Sequence, residues 1–349
     1  MMQNIHDIHI HMRFYDQERV EKFLKTMADS GVTKMGMQAL PYHSPINNLV
    51  MLYWKQKCTD IECTVFGGMH RYSPFEDEPY ESQAKRLLDM GCEGIKLIDM
   101  CPTIRKDLPG GIDAPEWDAM FTLLEKRGVP VLIHVADPEE YWNPHSARVA
   151  REPDCYLDDS YLTKHQLYEE TFRMLEKHPR LKVILAHFFF LSNEIDEAYR
   201  IMDRYPNVCL DMTPGWEMFL GFSKDIPAWR EFFVKYRTRI FFGTDCNSRK
   251  NFNAEIIELV SEALTHDESE FKMPCYGGHI IRGLGLDEET VDFICRKNYD
   301  AMLPEVKPVD RVAMLADAKH MLAVLEGIEK YVPECEWLRA LIREYEDLV

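Results

Sequence analysis

The feature that most constrains this chain is residues 5–11, Ile-His-Asp-Ile-His-Ile-His, in which polar and apolar residues alternate from Asp7 to His11. Side chains two residues apart on a β-strand share a face, so the pattern predicts a strand with Asp7, His9 and His11 on one side and Ile8 and Ile10 on the other. Imidazole is the commonest metal ligand, but a metal site needs three or four ligands. His9 and His11 are therefore either part of a metal site completed elsewhere in the chain or hydrogen-bonded core residues.

Composition limits the class of protein. The 349 residues are 46% hydrophobic, enough for one large domain or two ordinary ones. A net charge of −18 and a pI near 5.2 argue against nucleic acid or an anionic membrane as a partner, and leave small molecules as candidate ligands. The first residues do not have the pattern of a secretory signal peptide, and no stretch is long and apolar enough to span a membrane. We therefore expect a cytoplasmic protein.

The ten cysteines are scattered and form no C-x-x-C pair. This pattern indicates free thiols in a reducing compartment and argues against a Cys-based structural zinc site.

Short apolar runs alternate with helical patterns along the chain. The predicted strands are 5–11, 34–39, 64–69, 94–99, 130–135, 181–187, 207–212 and 239–244, and the predicted helices include 17–30, 80–91, 114–127, 161–177, 192–204 and 226–236. Eight such alternations predict an α/β fold, a (β/α)8 TIM barrel. A doubly wound open sheet is the alternative, but no G-x-G-x-x-G or P-loop follows any strand.

Two segments depart from the regular spacing. Residues 136–160 form an insertion after the fifth strand, where a lid could lie, and 309–330 and 333–348 read as two further helices that pack on the barrel or on a partner subunit. We therefore divide the chain into a barrel domain, 1–304, and a C-terminal helical extension, 305–349.

Three apolar strands end in polar residues of the same chemical kind. The fifth ends in His134, the sixth in His187 and the eighth in Asp245. Catalytic groups in such barrels project from the carboxyl ends of strands, and these residue types complete an H-x-H metal site. Their joint occurrence favours a metal centre over three separate core or capping residues.

With these residues in place, the chain resembles the amidohydrolase superfamily, in particular its amidohydrolase-related branch of metal-dependent hydrolases and aminocarboxymuconate semialdehyde decarboxylase-like enzymes. The resemblance covers residues 1–304, including Lys297-Asn298-Tyr299-Asp300 near the end of the barrel. It implies that His9, His11, His134 and Asp245 are metal ligands and that His187 is a catalytic histidine that does not bind the metal.

This ligand set would hold one divalent ion, with zinc expected before manganese, and would activate water for attack. Asp245 would take the proton of the water and pass it to the leaving group, and His187 would polarise the substrate oxygen. Asp7 would accept a hydrogen bond from a ligand imidazole on the side away from the metal. Lys96 lies in the fourth strand, where binuclear members carry a carboxylated lysine. It is somewhat deep for that role, so we favour a core lysine that is paired with an acid or supports a ligand, and one ion over two.

His70 and Arg71 follow the third strand and are the candidates for substrate binding, because a guanidinium can bind a carboxylate through two hydrogen bonds. We thus expect a hydrolase of an amide, ester or lactone bond in a small anionic molecule. A non-oxidative decarboxylase of the same branch is the main alternative. A TatD-type phosphoesterase fits less well because a fourth-strand Glu would stand where Lys96 is, and a non-catalytic binding protein fits least. Homo-oligomerisation is left open.

Overall fold

The computed structural model describes residues 2–12, 16–72, 74–75 and 77–346. Its main sheet is parallel, and its strands pair in chain order from β1 to β8, with the short β9 on the free edge of β1. The Ile8 N–H also donates to the Phe242 carbonyl at 3.0 Å, so the two ends of the sheet meet. This closed order is the TIM barrel that the sequence predicts.

Within the described residues, the strands of the barrel sheet are β1 (Ile5–His11), β2 (Val32–Gln38), β3 (Glu62–Gly68), β4 (Gly94–Met100), β5 (Val131–Val135), β6 (Val183–Leu185), β7 (Val208–Asp211), β8 (Ile240–Phe241) and β9 (Cys246–Asn247), and an antiparallel hairpin comprises β10 (Glu270–Met273) and β11 (His279–Arg282). The α-helices are α1 (Gln17–Asp29), α2 (Asn47–Lys57), α3 (Tyr80–Met90), α4 (Pro102–Arg105), α5 (Pro115–Arg127), α6 (Ala147–Arg151), α7 (Lys164–Lys177), α8 (Ile195–Arg204), α9 (Trp216–Phe222), α10 (Ile226–Lys235), α11 (Asn253–Thr265), α12 (Glu288–Asp292), α13 (Asn298–Met302), α14 (Arg311–Leu325) and α15 (Val332–Glu346).

Two strands end earlier than the sequence predicts. The predicted strand 181–187 stops at Leu185, because a 3₁₀ turn begins at Ala186. The predicted strand 239–244 is reduced to β8, which stops at Phe241, and the chain pairs again only in β9, after Asp245, which adopts a left-handed backbone with φ of 50°. Both interruptions lie at the carboxyl end of the barrel, where they redirect the chain around candidate site residues.

The regular alternation predicted for β1 is wrong in its centre. From Asp7 to Ile10 the strand advances three residues, while the paired segment of β2 advances only two, from Met35 to Met37. Such a bulge transfers the following side chains to the opposite face, and bulges often occur beside active sites. Ile8 accordingly packs with the apolar cluster inside the barrel, and the side chain of Asp7 bonds the backbone N–H of His9.

The amino-terminal end of the barrel is closed by the segment after α12. Tyr299 is fully buried there with Ile8, Phe66 and Leu132, and its hydroxyl lies 2.7 Å from that of Thr64. The interior beneath the candidate site is therefore a packed apolar layer, and the opening lies at the carboxyl ends of the strands.

The insertion and the terminal helices lie outside the sheet. Residues 136–160 contain α6 flanked by two 3₁₀ turns, and α14 and α15 pack on the barrel through contacts such as Arg86–Asp317 and Gln56–Tyr345, each at 2.6 Å. Packing on the barrel was one of the two arrangements expected. All ten cysteines are free thiols, and no helix among the described residues is long and apolar enough to cross a bilayer.

Glu217 lies close enough to this insertion for the charges of its residues to act on it. Its side chain lies in the first turn of α9 and is only 8% exposed. Burial, together with the nearby charges of Glu140 and Asp137, raises the pKa of Glu217 from 4.5 to about 7, although its own backbone N–H and Arg148 act in the opposite direction.

The raised pKa predicts a pH-dependent stability. The folded state binds a proton that the unfolded state has already lost, so Glu217 destabilises the fold as pH rises from about 4.5 to about 7. We expect Glu217→Gln to raise the free energy of unfolding at about pH 8 by roughly 2–4 kcal/mol, with the gain shrinking towards about pH 5. Urea unfolding at both pH values measures this, and exposed Glu258→Gln is the control. An equal effect of Glu217→Gln at both pH values would contradict it.

Candidate functional site

Three of the predicted ligands converge at the carboxyl end of the barrel. His9 Nε2 lies 3.2 Å from His11 Nε2, and His11 Nε2 lies 3.3 Å from Asp245 Oδ1. One ligand atom from each residue lies within 4.8 Å of the others, and the two imidazoles are almost completely buried. We call these three residues the trio.

The donor set of the trio fits a cation. Nδ1 of His9 lies 2.8 Å from Asp211 Oδ2, and Nδ1 of His11 lies 2.7 Å from the Gln38 carbonyl oxygen. Both acceptors require an N–H on Nδ1, which leaves a lone pair on each Nε2. Two lone pairs 3.2 Å apart beside a carboxylate form a site that suits a cation. Burial, with Lys96 and His11 nearby, also lowers the pKa of His9 well below its usual value, as a neutral ligand requires.

Asp245 is positioned by its backbone. Asp245 has a left-handed backbone conformation, and its N–H donates to the His9 carbonyl at 2.9 Å. This bond holds the backbone of Asp245 against β1, close to the imidazole of His11 that its carboxylate faces. Burial alone would raise the pKa of Asp245, but Lys250, 3.3 Å from Oδ2, and the two histidines hold it well below the usual range. The carboxylate is therefore ionised and available as a ligand.

Lys96 reaches into the same space. Its Nζ lies 3.3 Å from His9 Nε2, and burial lowers its pKa to about 8 although Asp211 and Asp245 partly oppose this. Among the described residues, Lys96 makes no ion pair within 4.0 Å, so the paired core lysine considered from the sequence is not observed. It contacts a candidate ligand directly.

His187 is placed by an unusual turn. His187, Phe188, Phe189 and Phe190 all have φ between 52° and 57°, a left-handed conformation that costs roughly 1–2 kcal/mol per non-glycine residue. Phe188 and Phe189 are completely buried, and Asp211 Oδ1 accepts the His187 N–H at 2.8 Å. These contacts hold the strained turn in place, and such strain is typical of functional sites.

The ring of His187 lies between two other histidines. Its centroid is 5.6 Å from that of His9 and 4.7 Å from that of His134, and it stacks on Phe190 at 5.3 Å. Its Nδ1 lies 3.3 Å from the Thr213 carbonyl oxygen, which requires a proton on Nδ1 and leaves a lone pair on Nε2 in the neutral ring.

Asp211 was missed by the sequence analysis. It ends β7, and His134 lies one residue before the end of β5, so the rule that selected polar residues at strand ends could have selected Asp211 too. It is completely buried, and burial raises its pKa although contact with His187 partly offsets this. Asp211 carries out the role expected of Asp7, because Asp7 bonds the His9 backbone and the Thr244 hydroxyl instead of an imidazole.

The fourth predicted ligand, His134, belongs to a different group. One ligand atom each from Cys101, His134 and Asp137 lies within 4.8 Å of the others, and this set does not include the trio. Burial would lower the pKa of His134, but Asp137 and Cys101 raise it to about 10. The structure thus brings His134 next to His187 rather than into the trio.

The two predicted substrate contacts already have partners. His70 Nε2 bonds the Pro45 carbonyl at 2.7 Å, and Arg71 pairs with Asp99 in a contact where both side chains are at most 3% exposed. Arg71 Nε is buried without a hydrogen-bond partner. His70, Arg71 and Lys330 line a cavity of about 240 Å³ next to the carboxyl end of β3.

Several solved structures share this fold. A 2,6-dihydroxybenzoate decarboxylase from Rhizobium has a TM-score of 0.55 at 17% identity, with 86% of this chain and 98% of that chain covered. A probable 2-pyrone-4,6-dicarboxylic acid hydrolase from Acinetobacter baumannii, with citric acid bound, has a TM-score of 0.53 at 13% identity over 86% and 99%. A dihydroxybenzoic acid decarboxylase from a Polaromonas species, with bound manganese and the inhibitor 2-nitroresorcinol, has 0.52 at 12% over 86% and 97%.

No curated protein sequence matches the chain. The family model described as Amidohydrolase, however, matches residues 51–274, which is more than half of the 349 residues. The chain therefore belongs to the amidohydrolase-related family, whose members include hydrolases and decarboxylases.

Proposed function

We propose that this protein is a metal-dependent hydrolase that cleaves an amide, ester or lactone bond in a small carboxylated molecule. The observation that carries the proposal is the convergence of the trio and His187 at the open end of the barrel. Family membership supports a metal-dependent enzyme, and the hydrolase among the structural neighbours supports this reaction type.

The trio would hold one divalent ion and leave a position open for water and substrate, as catalytic zinc sites do. Such an ion, when bound, acts as a Lewis acid and lowers the pKa of a coordinated water. Zinc is our first choice for this nitrogen-and-oxygen set, and the manganese in a structural neighbour makes that ion the second. A second ion bound through Lys96 is not part of the proposal.

The protein's own groups would handle the protons. Asp245, held ionised beside Lys250, accepts a proton from the attacking water. His187 presents an Nε2 lone pair because its Nδ1 faces the Thr213 carbonyl. In the neutral state, His187 therefore accepts a proton, and it can polarise a substrate oxygen, as expected from the sequence, only after protonation.

Non-oxidative decarboxylation is the second candidate. The decarboxylases among the structural neighbours favour it, and a carboxylated substrate would serve either reaction. The two candidates differ in product, because decarboxylation releases CO₂ whereas hydrolysis releases an acid.

The reaction type can be measured directly. We expect the zinc-loaded protein, supplied separately with carboxylated lactones, esters and amides and with hydroxybenzoates, to hydrolyse one of the first three classes without releasing CO₂. Titration of released acid detects hydrolysis of lactones and esters, and detection of the free amine serves for amides, because amide hydrolysis near neutral pH yields a carboxylate and an ammonium ion. Detection of CO₂ reveals decarboxylation. Release of CO₂ alone would replace the hydrolase with the decarboxylase.

The roles of ligand and proton carrier can be separated by substitution. We expect Asp245→Ala to lose one equivalent of metal together with activity, because a ligand is removed. His187→Ala should keep that equivalent while kcat falls by roughly two to four orders of magnitude. Elemental analysis and steady-state kinetics measure both effects. Loss of metal from His187→Ala would show that His187 is a ligand instead.

Arg71 is the proposed anchor for the substrate carboxylate. Its pairing with Asp99 neutralises one side of the guanidinium, while its Nε remains without a partner. Lys330 adds a second positive charge around the same cavity. A carboxylate bound there would satisfy the free N–H in a partly buried place.

This role predicts a charge-specific effect. Arg71→Lys should lower kcat/KM for a carboxylated substrate by about ten- to a hundredfold, because an ammonium group cannot reproduce the planar guanidinium that pairs with Asp99 and offers its Nε–H to the substrate at the same time. For the methyl ester of the same substrate, Arg71→Lys should lower kcat/KM by a smaller factor. Arg86→Lys, which alters a comparable pair with buried Asp317 on the helix layer, is the control. Equal losses for acid and ester would exclude Arg71 as the anchor.

A further inference from the structure

We infer that a basic cavity between α1 and the segment that joins β9 to α11 binds the diphosphate group of a small molecule. The cavity has a volume of about 390 Å³. None of the nine described residues that line it is acidic. Its cationic lining residues, which we call the basic cluster, are Arg19, Lys22, Arg249 and Lys250.

The positive charge of the basic cluster is not balanced within the cavity. Lys22 makes no ion pair with any residue in the described part of the chain, whereas Lys25, on the same helix, pairs with Asp29 at 2.9 Å. The chain as a whole has a net charge of −18, so four cations around one cavity are a local exception. Like charges in one cavity repel one another, and a bound anion would relieve this repulsion.

Side-chain amides fix the loop that presents Arg249 and Lys250. Buried Asn253 accepts the Asn247 N–H at 3.1 Å and donates to the carbonyls of Asn247 and Lys250 at 3.0 Å and 3.1 Å. The side chain of Asn247 in turn accepts the Arg249 N–H at 3.0 Å. The backbone of this loop is therefore ordered before a ligand arrives, which lowers the entropic cost of binding.

The lining groups suit a phosphate compound better than a single carboxylate. Guanidinium groups bind phosphate through two parallel hydrogen bonds, and ammonium groups bind it as point charges. The amide of Asn251 adds hydrogen-bond donors. A diphosphate group has several charged oxygens, so it can contact Arg19 and Lys22 on α1 and the cations of the loop at the same time. A carboxylate has too few oxygens to do so.

This cavity is distinct from the place proposed for the substrate carboxylate. The two cavities share no lining residue. Lys250 connects the basic cluster to the trio, because its Nζ lies 2.9 Å from the carbonyl oxygen of Asp245 and 3.3 Å from Oδ2. The inference does not rest on the proposed hydrolysis, and binding can be measured without turnover.

Equilibrium dialysis with radiolabelled pyrophosphate at about 0.1 M salt tests the inference. We expect the wild-type protein to bind about one pyrophosphate per chain, more tightly than inorganic phosphate, because the second phosphoryl group reaches further cations. Arg249→Gln and Lys22→Gln should each weaken binding by about tenfold or more, since each removes a charge-assisted contact. Displacement of pyrophosphate by ADP would support a site for a diphosphate group carried on a larger molecule.

Two controls separate this site from non-specific attraction and from the trio. Lys25→Gln removes the same charge from α1 outside the cavity, so it should bind pyrophosphate as the wild-type protein does. Wild-type protein dialysed against a chelator should also bind equally, because the basic cluster needs no metal. If Arg249→Gln does not fold, Lys22→Gln at an exposed helix position decides.

Three results would overturn the inference. The first is no binding to the folded wild-type protein. The second is an equal loss of affinity in Lys25→Gln and Lys22→Gln, which would indicate attraction to net charge alone. The third is binding that disappears with the metal but persists in Arg249→Gln, which would place the anion at the trio.

Discussion

The arrangement of the candidate site depends on one buried carboxylate, that of Asp211. Its Oδ2 lies 2.8 Å from His9 Nδ1, and its Oδ1 accepts the backbone N–H groups of His187 at 2.8 Å and Thr213 at 3.1 Å. One side chain thus fixes the tautomer of a candidate ligand and the start of the strained turn that carries His187. Because it is completely buried, loss of this acceptor would leave unsatisfied donors in the barrel interior.

The carboxyl rim shows how the scaffold supports that geometry. Left-handed backbone occurs at non-glycine residues after three strands, at Ala136, at His187–Phe190 and at Asp245. Each conformation is unfavourable by itself. The closed sheet beneath, with Tyr299 and Phe66 buried in it, and the buried phenylalanines of the turn supply the packing that holds these conformations. Stability is thus concentrated below the site, and strain is concentrated at it.

Sequence periodicity predicted the barrel, because each strand is a buried apolar run and each helix has one apolar face. It did not predict the bulge in β1, because polar and apolar residues alternate regularly from Asp7 to His11 in the sequence. Only the pairing with β2 shows the extra residue. The turn after β6 could not be predicted either, because its sequence, Ala186-His187-Phe188, contains no glycine that would indicate a left-handed backbone. The polar ends of the strands indicated where the site lies. The grouping of His134 with Cys101 and Asp137 needed three-dimensional contacts, because Cys101 lies in a different β/α unit.

The charges around the barrel mouth bear on where a charged substrate would bind. The chain carries a net charge of −18, but at physiological salt charges interact strongly only within about 8 Å, so local groups decide what binds. On the β3 side, Arg71 and Lys330 line one cavity. On the β5–β7 side, Glu140 and Asp137 act on the buried carboxyl group of Glu217 and raise its pKa. An anion is therefore favoured on the β3 side, where the substrate carboxylate is proposed to bind, and the acidic groups near Glu217 would repel it from the other side.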